Sequence, residues 1–237
     1  MADKNSQRVL VTGAGGSMGS RLTGFLLERG YHVALLYRSD RHTEPLRRVE
    51  KVHPDMVCLV QADLGDYQQA EAAVQTTVDR FGRLDAVINP VGGWLGGKRL
   101  HEHSSEEFDA MLSMDIRPTF HLMKAVLPVM VKQQSGKIVN FGSMTAFTGG
   151  SGNAVYAASK SAVARLSAVA AHEYGGDGIQ VFLIAPSTID TEANRQAMPQ
   201  ADTASWVRPE TIAEALHYLC QSGENLSSTV FKFTGTL

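Results

Sequence analysis

"RVLVTGAGGSMG", residues 8–19, decides how the rest of the chain is read. Arg8 to Gly13 is a short valine-rich run ending in glycine, the pattern of a buried strand entering a tight turn. "SRLTGFLLERG" follows directly, with Leu22, Phe25, Leu26 and Arg29 at helical spacing and Gly30 as its stop. A strand, a glycine turn and a helix in that order bring backbone N–H groups and the positive end of a helix toward a phosphate. Gly13, Gly15, Gly16 and Gly19 crowd this one turn, which favours nucleotide binding over a glycine kept for steric reasons. The spacing is not G-x-G-x-x-G, because the sixth residue counted from Gly13 is Met18.

Beyond the turn, the same alternation repeats. "HVALLY", "MVCLVQAD", "LDAVINP", "KIVNFGS", "IQVFLIAP" and "STVFKFTG" read as six further strands. Between them, "YQQAEAAVQTTVDRFG", "SSEEFDAMLSMDIRPTFHLMKAVLPVMVKQ", "NAVYAASKSAVARLSAVAAHEYG" and "PETIAEALHYLCQSG" read as helices. Ser104 or Ser105 caps the long one, and Pro118 and Pro128 are expected to kink it or free carbonyls. Met111, Met114, Met123 and Met130 along it suit core or interface packing. Strands that are apolar throughout and alternate with helices predict an α/β fold, a doubly wound parallel sheet of about seven strands covered on both faces. The irregular stretches "VGGWLGGKRLHEH" and "STIDTEANRQAMPQADTASW" both follow strands, where open α/β sheets bind ligands.

The 237 residues suit one large domain, or at most two small ones. A formal net charge of −2 without a basic run speaks against a nucleic-acid partner and for a small-molecule ligand. No apolar stretch is long enough to span a membrane, and the polar "MADKNSQR" lacks the apolar centre of a secretory signal. Cys58 and Cys220 are far apart and in no metal-ligand spacing, which reads as two buried thiols in a reducing, cytoplasmic setting. His101 and His103 share one loop, and with Glu102 suggest a metal, but no further ligand stands at a supporting spacing, so a solvated loop is expected and no metal.

The residue after the second strand bears on cofactor choice. A carboxylate there would hold ribose hydroxyls, whereas "LLYRSDR" presents Arg38, a cation that favours a 2′-phosphate. Asp40 and Arg41 nearby blur that reading. Asp63, just past the third strand, either accepts from an adenine amino group or caps the helix that follows.

In "NAVYAASK", Tyr156 stands four residues before Lys160, one helical turn away on the same face. A tyrosine with its ordinary pKa of about 10 is a poor acid or base near neutrality, and lowering it by about three units takes about 4 kcal/mol. A lysine at a wet surface does not supply that, but a buried site with a cationic nicotinamide would. The pair alone is a weak signal. Ser143 strengthens it, ending a strand thirteen residues upstream where its hydroxyl can reach the same cleft.

Taken together, "VTGAGGSMG", "ADL", "INPVGG", "IVNFGS", "YAASK" and "APSTIDT" arrive in an order that resembles the short-chain dehydrogenase/reductase family over nearly the whole chain. The resemblance implies one NAD(P)-binding domain over residues 1–237 and an oxidoreductase that interconverts a carbonyl and a hydroxyl, with NADP(H) favoured over NAD(H). Tyr156 would protonate the substrate oxygen, Lys160 would lower its pKa and hold the nicotinamide ribose, and Ser143 would polarise the carbonyl. Cofactor contacts would come from Gly13, Gly15, Ser17, Met18, Gly19, Arg38, Asp63, Leu64, Asn89, Pro186, Thr188 and Thr191, together with Tyr156 and Lys160. Asn89 would sit beside the adenosine ribose and Thr191 at the nicotinamide end. A homodimer or homotetramer is implied through the long helix and the Tyr156 helix, whose Ala157, Ala158, Ala162 and Ala164 permit close packing.

Four positions depart from the family pattern. Ser17 replaces the middle glycine, "NPVG" replaces NNAG so that Pro90 removes a backbone donor, and Ser187 follows Pro186 where glycine is usual. Asp115 stands where the family has an asparagine. It would stabilise the Lys160 charge, relay protons, or be a tolerated change with an altered hydrogen bond, and Pro118 is expected to impose the local kink. "GGWLGG" and "STIDTEANRQAMPQADTASW" resemble segments of dihydropteridine reductases, which lack a serine at the Ser143 position. That leaves a quinonoid pterin reductase as the second reading and a nucleotide sensor without turnover as the third. Trp94 and Trp206, in the two long loops, are candidates either for lining the substrate pocket or for anchoring the loops.

Overall fold

The computed structural model describes residues 6–39, 43–222, 226 and 229–235. Seven parallel strands form one sheet: β1 (Arg8–Val11), β2 (His32–Tyr37), β3 (Val57–Gln61), β4 (Ala86–Asn89), β5 (Gly136–Phe141), β6 (Ile179–Pro186) and β7 (Val230–Phe233). Their order across the sheet is β3-β2-β1-β4-β5-β6-β7. The expected doubly wound α/β sheet is therefore present. Ser228, at the start of the expected last strand, lies outside the described residues, as do Asp40 and Arg41.

Strand alternation builds a core on each face. Val9, Val11, Ala86 and Ile88 point to one side, against Leu22 and Leu26 of α1 (Ser17–Glu28). Leu10 and Val87 point to the other, with Ala70 and Val74 from the next large helix. The helices on that second face are α3 (Tyr67–Phe81) and two later ones, the second of which carries Tyr156 and Lys160. Burying both faces explains why the strands read as unbroken apolar runs.

The longest helix that the sequence reading misses joins β2 to β3. α2 (Glu44–Val52) links β2 to β3 with a proline in its first turn, and Leu46 alone among its residues is buried. Its apolar anchors are few, Leu46 and the partly buried Val49. Asp66, not Asp63, caps α3, accepting from the backbone N–H groups of Gln68 and Gln69.

The long helix is broken in a place that was not expected. α4 (Ser105–Met111) starts with a reciprocal cap between Ser104 and Glu107. A π-helical turn over Leu112–Ile116 follows, and then α5 (Arg117–Gln133), with Pro118 in its first turn. The kink is this wide turn, and Pro118 seeds the helix after it; Pro128 sits inside α5 without ending it. Met111, Met123 and Met130 are buried, as core packing requires.

Sheet order reverses between β1 and β4, so the crevice of a doubly wound fold opens at their C-terminal ends. Thr12 bonds to Asn89 across this point, Oγ1 to Oδ1 at 2.6 Å. No helix among the described residues is long and apolar enough to cross a membrane.

Candidate active site

The glycine turn after β1 is shaped by two positions. Gly13 has φ +57°, and a Cβ on Gly19 would stand 2.3 Å from the Gly13 carbonyl oxygen and 2.8 Å from the Ala14 α-carbon. Both demand glycine. Ser17 does not, because it is the first residue of α1 and its backbone is ordinary helix. Gly16 caps that helix without a side chain, and no acidic residue occupies the first turn. The N-terminal N–H groups thus face a cleft of about 370 Å³ lined by Gly15, Gly16, Ser17, Ser20, Arg21 and Glu192. This chemistry fits a phosphate, with Glu192 as the one negative group on its wall.

Tyr156 and Lys160 rise from α7 (Ala154–Tyr174), beside Ser143 in the turn between β5 and the short α6 (Thr145–Thr148). The Lys160 ammonium lies 5.8 Å from the centre of the Tyr156 ring. It is 5% exposed, ion-pairs with Asp115 Oδ1 at 3.3 Å and donates to the Phe141 carbonyl at 3.4 Å. Asp115 is fully buried in the π-helical turn. Its carboxylate also accepts from the Gly93 N–H at 2.9 Å and from Ser159 Oγ at 2.6 Å. Removing one partner of such a buried pair costs about 3–5 kcal/mol.

Burial pushes the Tyr156 phenol above its ordinary range; a hydrogen bond with Ser143 pulls it down, and the Asp115 carboxylate pushes it up. Sequence reasoning expected Lys160 to draw it down. Among the protein's own groups burial is the largest influence, because the low-dielectric site disfavours the phenolate, and the Asp115 carboxylate acts in the same direction. Ser143 itself is held by Thr145, whose Oγ1 and backbone N–H donate to Ser143 Oγ at 3.0 and 3.3 Å. That leaves the Ser143 proton to be given outward. Nothing in the sequence singled out Thr145 or Ser159.

Residues 7–202 match the family described as short chain dehydrogenase. The chain belongs to the short-chain dehydrogenase family. A 2-(R)-hydroxypropyl-CoM dehydrogenase of Xanthobacter autotrophicus is 32% identical over 203 residues, covering 83% of this chain and 80% of that one. The structure of ElxO with NADP bound superimposes with a TM-score of 0.88 at 25% identity, over 96% of this chain and 97% of that one. An NAD+-bound xylitol dehydrogenase, at 23% identity, shares the fold with a TM-score of 0.88 over 99% of this chain and all (100%) of that one. This chain is accordingly an NAD(P)-dependent oxidoreductase.

Against that family frame, the expected cofactor residues divide. Arg38 stands exposed directly after β2. Asp63 is exposed after β3, where its carboxylate accepts from the Gly65 N–H at 2.8 Å. Leu64 is buried in the core, with its carbonyl 2.9 Å from His121 Nδ1. The Asn89 side chain turns inward. It accepts from Thr12 and donates to Thr119 and Asn140, so that position offers only main chain to a ligand. Met18 is buried beneath the turn, and Pro186 ends β6 with its carbonyl accepting from Met144 N–H. The Thr188 carbonyl accepts from Val207, and Thr191 caps α8 (Glu192–Ala197), accepting from the Asn194 N–H at 3.2 Å.

The loop aromatics part company. Trp206 is 8% exposed and anchors its loop, while Trp94 is 62% exposed and donates its indole N–H to Asn153 at the head of α7. His103 is not solvated as expected; its side chain is 3% exposed and its Nδ1 lies 3.1 Å from Glu107 Oε2. Cys220 is buried and its thiol is pushed up to about 12 by burial, whereas Cys58 is only partly buried.

Proposed function

We propose that the protein is an NADP(H)-dependent reductase that interconverts a carbonyl and a hydroxyl group, with Ser143, Tyr156 and Lys160 at its centre. The observation that carries this reading is the convergence of the three on one spot from two separate elements, with Ser143 hydrogen-bonded to Tyr156 and Lys160 behind the phenol ring. The nicotinamide, when bound, supplies the hydride that reduces the carbonyl carbon. Ser143 donates a hydrogen bond to the substrate oxygen and polarises it. Tyr156 gives its hydroxyl proton to that oxygen as negative charge develops there.

The pyrophosphate would be held by the main-chain N–H groups at Gly15 and Ser17 at the head of α1, the Gly16 N–H being donated to the Gly13 carbonyl. Gly13 and Gly19 let the turn form. Lys160 has three donors, of which two are engaged, so one is available for a ribose hydroxyl. Arg38, exposed after β2, supports the preference for a 2′-phosphate.

The test is NADPH consumption over a panel of ketones, aldehydes and a quinonoid dihydropterin, with the Tyr156→Phe protein run in parallel. Turnover on carbonyls that disappears in the variant is the expected result. Turnover confined to the dihydropterin would replace the proposal with a pterin reductase. NADPH binding without turnover anywhere on the panel would replace it with a nucleotide sensor.

A further inference from the structure

We propose that Asp115 is a positioning residue for the Tyr156–Lys160 pair: its buried carboxylate holds and electrically offsets the Lys160 ammonium, setting the site to give a proton rather than to take one. The inference rests on the carbonyl-reductase reading and adds to it a device that controls the pH range of reduction. Three contacts converge on this carboxylate from two parts of the fold. Lys160 reaches it from α7, Ser159 Oγ from one residue earlier on the same helix, and the Gly93 N–H from the loop after β4. Gly92 leaves space for them, since a Cβ there would stand 2.6 Å from both Asp115 Oδ1 and Lys160 Nζ.

An asparagine in the same place would keep the shape of this cluster and lose its charge. With a carboxylate, the lysine charge is balanced one bond length of hydrogen-bonding distance away, before it can act on the phenol. The surroundings offer little else. Toward Asp115, α7 presents Lys160 and Tyr156, β5 presents the Phe141 carbonyl and the loop after β4 presents only backbone. On α4, Glu107 is bound to Lys98 and His103, while Glu106 and Asp109 are exposed, as is Arg117 on α5. Lys160 and Asp115 are thus the charged groups that face Tyr156 within the buried site, and the Asp115 field on the phenol acts upward.

Reduction needs the protonated phenol, so a phenol held above its ordinary range keeps reduction active toward higher pH. Replacing Asp115 by Asn leaves Lys160 uncompensated, favours the phenolate and moves the alkaline limb of kcat/KM for reduction to lower pH. The measurement is that limb in the parent and in Asp115→Asn, with NADPH affinity measured by fluorescence as the check on folding and binding. A limb that stays in place while NADPH affinity is kept would overturn the proposal. Asp115→Glu, which restores a carboxylate, is expected to bring the limb back toward the parent position.

A second readout needs no substrate. The ultraviolet tyrosinate titration of the parent, minus that of Tyr156→Phe, isolates the phenol of Tyr156. Because burial alone raises the phenol, support requires that this ionisation move to lower pH in Asp115→Asn or Asp115→Ser, and ionisation below the ordinary tyrosine value of about 10 in the parent overturns the proposal even if neither variant folds. Because this titration is independent of turnover, it separates a failure of the Asp115 assignment from a failure of the reductase reading.

Discussion

Gly92 and Lys160 are locked together by an absence of side chain: a Cβ on Gly92 would lie 2.6 Å from the Lys160 ammonium nitrogen. The lysine is buried, and its nitrogen is tied to Asp115 and to the Phe141 carbonyl, so it cannot simply swing away. Gly92→Ala is expected to destabilise the fold by about 1–3 kcal/mol through overpacking, and to slow the chemical step as the pair is displaced. Urea unfolding and single-turnover rates measured together check this. A variant equal to the parent in both would show that the ion pair tolerates displacement.

The two glycines Gly19 and Gly15 should behave in opposite ways. A Cβ on Gly19 meets the backbone of Gly13 and Ala14, which has no room to yield, whereas a Cβ on Gly15 meets nothing within 4 Å. Gly19→Ala is therefore expected to distort the turn and weaken NADPH binding by an order of magnitude or more, roughly the cost of about 1.4 kcal/mol or above. Gly15→Ala should leave the fold's stability near that of the parent, because it adds only a methyl in open space. Fluorescence titration with NADPH and thermal melting of both variants decide the point.

Arg38→Glu tests the cofactor reading. Its exposed guanidinium follows β2, and replacing it by a carboxylate removes a charge-assisted partner for a 2′-phosphate and adds repulsion. The ratio of NADPH to NADH affinity is expected to fall by about tenfold or more, since a hydrogen bond to a charged group is worth about 1.5–3 kcal/mol. An unchanged ratio would remove Arg38 from the cofactor site.

Glu107 makes acid stability testable. The Lys98 ammonium, the Ser104 N–H and His103 together hold its carboxyl down to about 2, against an ordinary 4.5. A carboxyl whose folded value lies below its unfolded one stabilises the fold above the unfolded value and loses that contribution as pH falls through the folded value. Glu107→Gln should therefore lose stability at neutral pH and show a flatter decline than the parent between pH 4.5 and about 2. Urea unfolding across that range would show it; parallel curves would not fit.

A homodimer or homotetramer is expected through the outer faces of α4, α5 and α7, where Phe108, Phe120 and Val169 are each more than two-fifths exposed. Light scattering across concentrations checks this. A monomer at every concentration would remove the assignment, and a parent oligomer that Phe120→Asp dissociates would place the contact on α5.

What the sequence by itself determined was the alternation. Unbroken apolar strands, helices of regular period and a crowded glycine turn made a parallel, doubly wound sheet readable, because those patterns are local and repeat within a few residues. The spacing of Tyr156 and Lys160 was readable for the same reason, as one turn of one helix. Tertiary structure alone decided how charge is arranged around that pair. Asp115 meets Gly93 and Ser159 from 22 and 44 residues away, and the π-helical turn that aims it has no sequence period to announce it. The family resemblance put Asn89 beside a ribose, and only the fold shows that its side chain is spent on Thr12, Thr119 and Asn140. The direction of the Tyr156 shift was likewise beyond a linear reading, because desolvation and the field of a distant carboxylate exist only once the chain has folded around them.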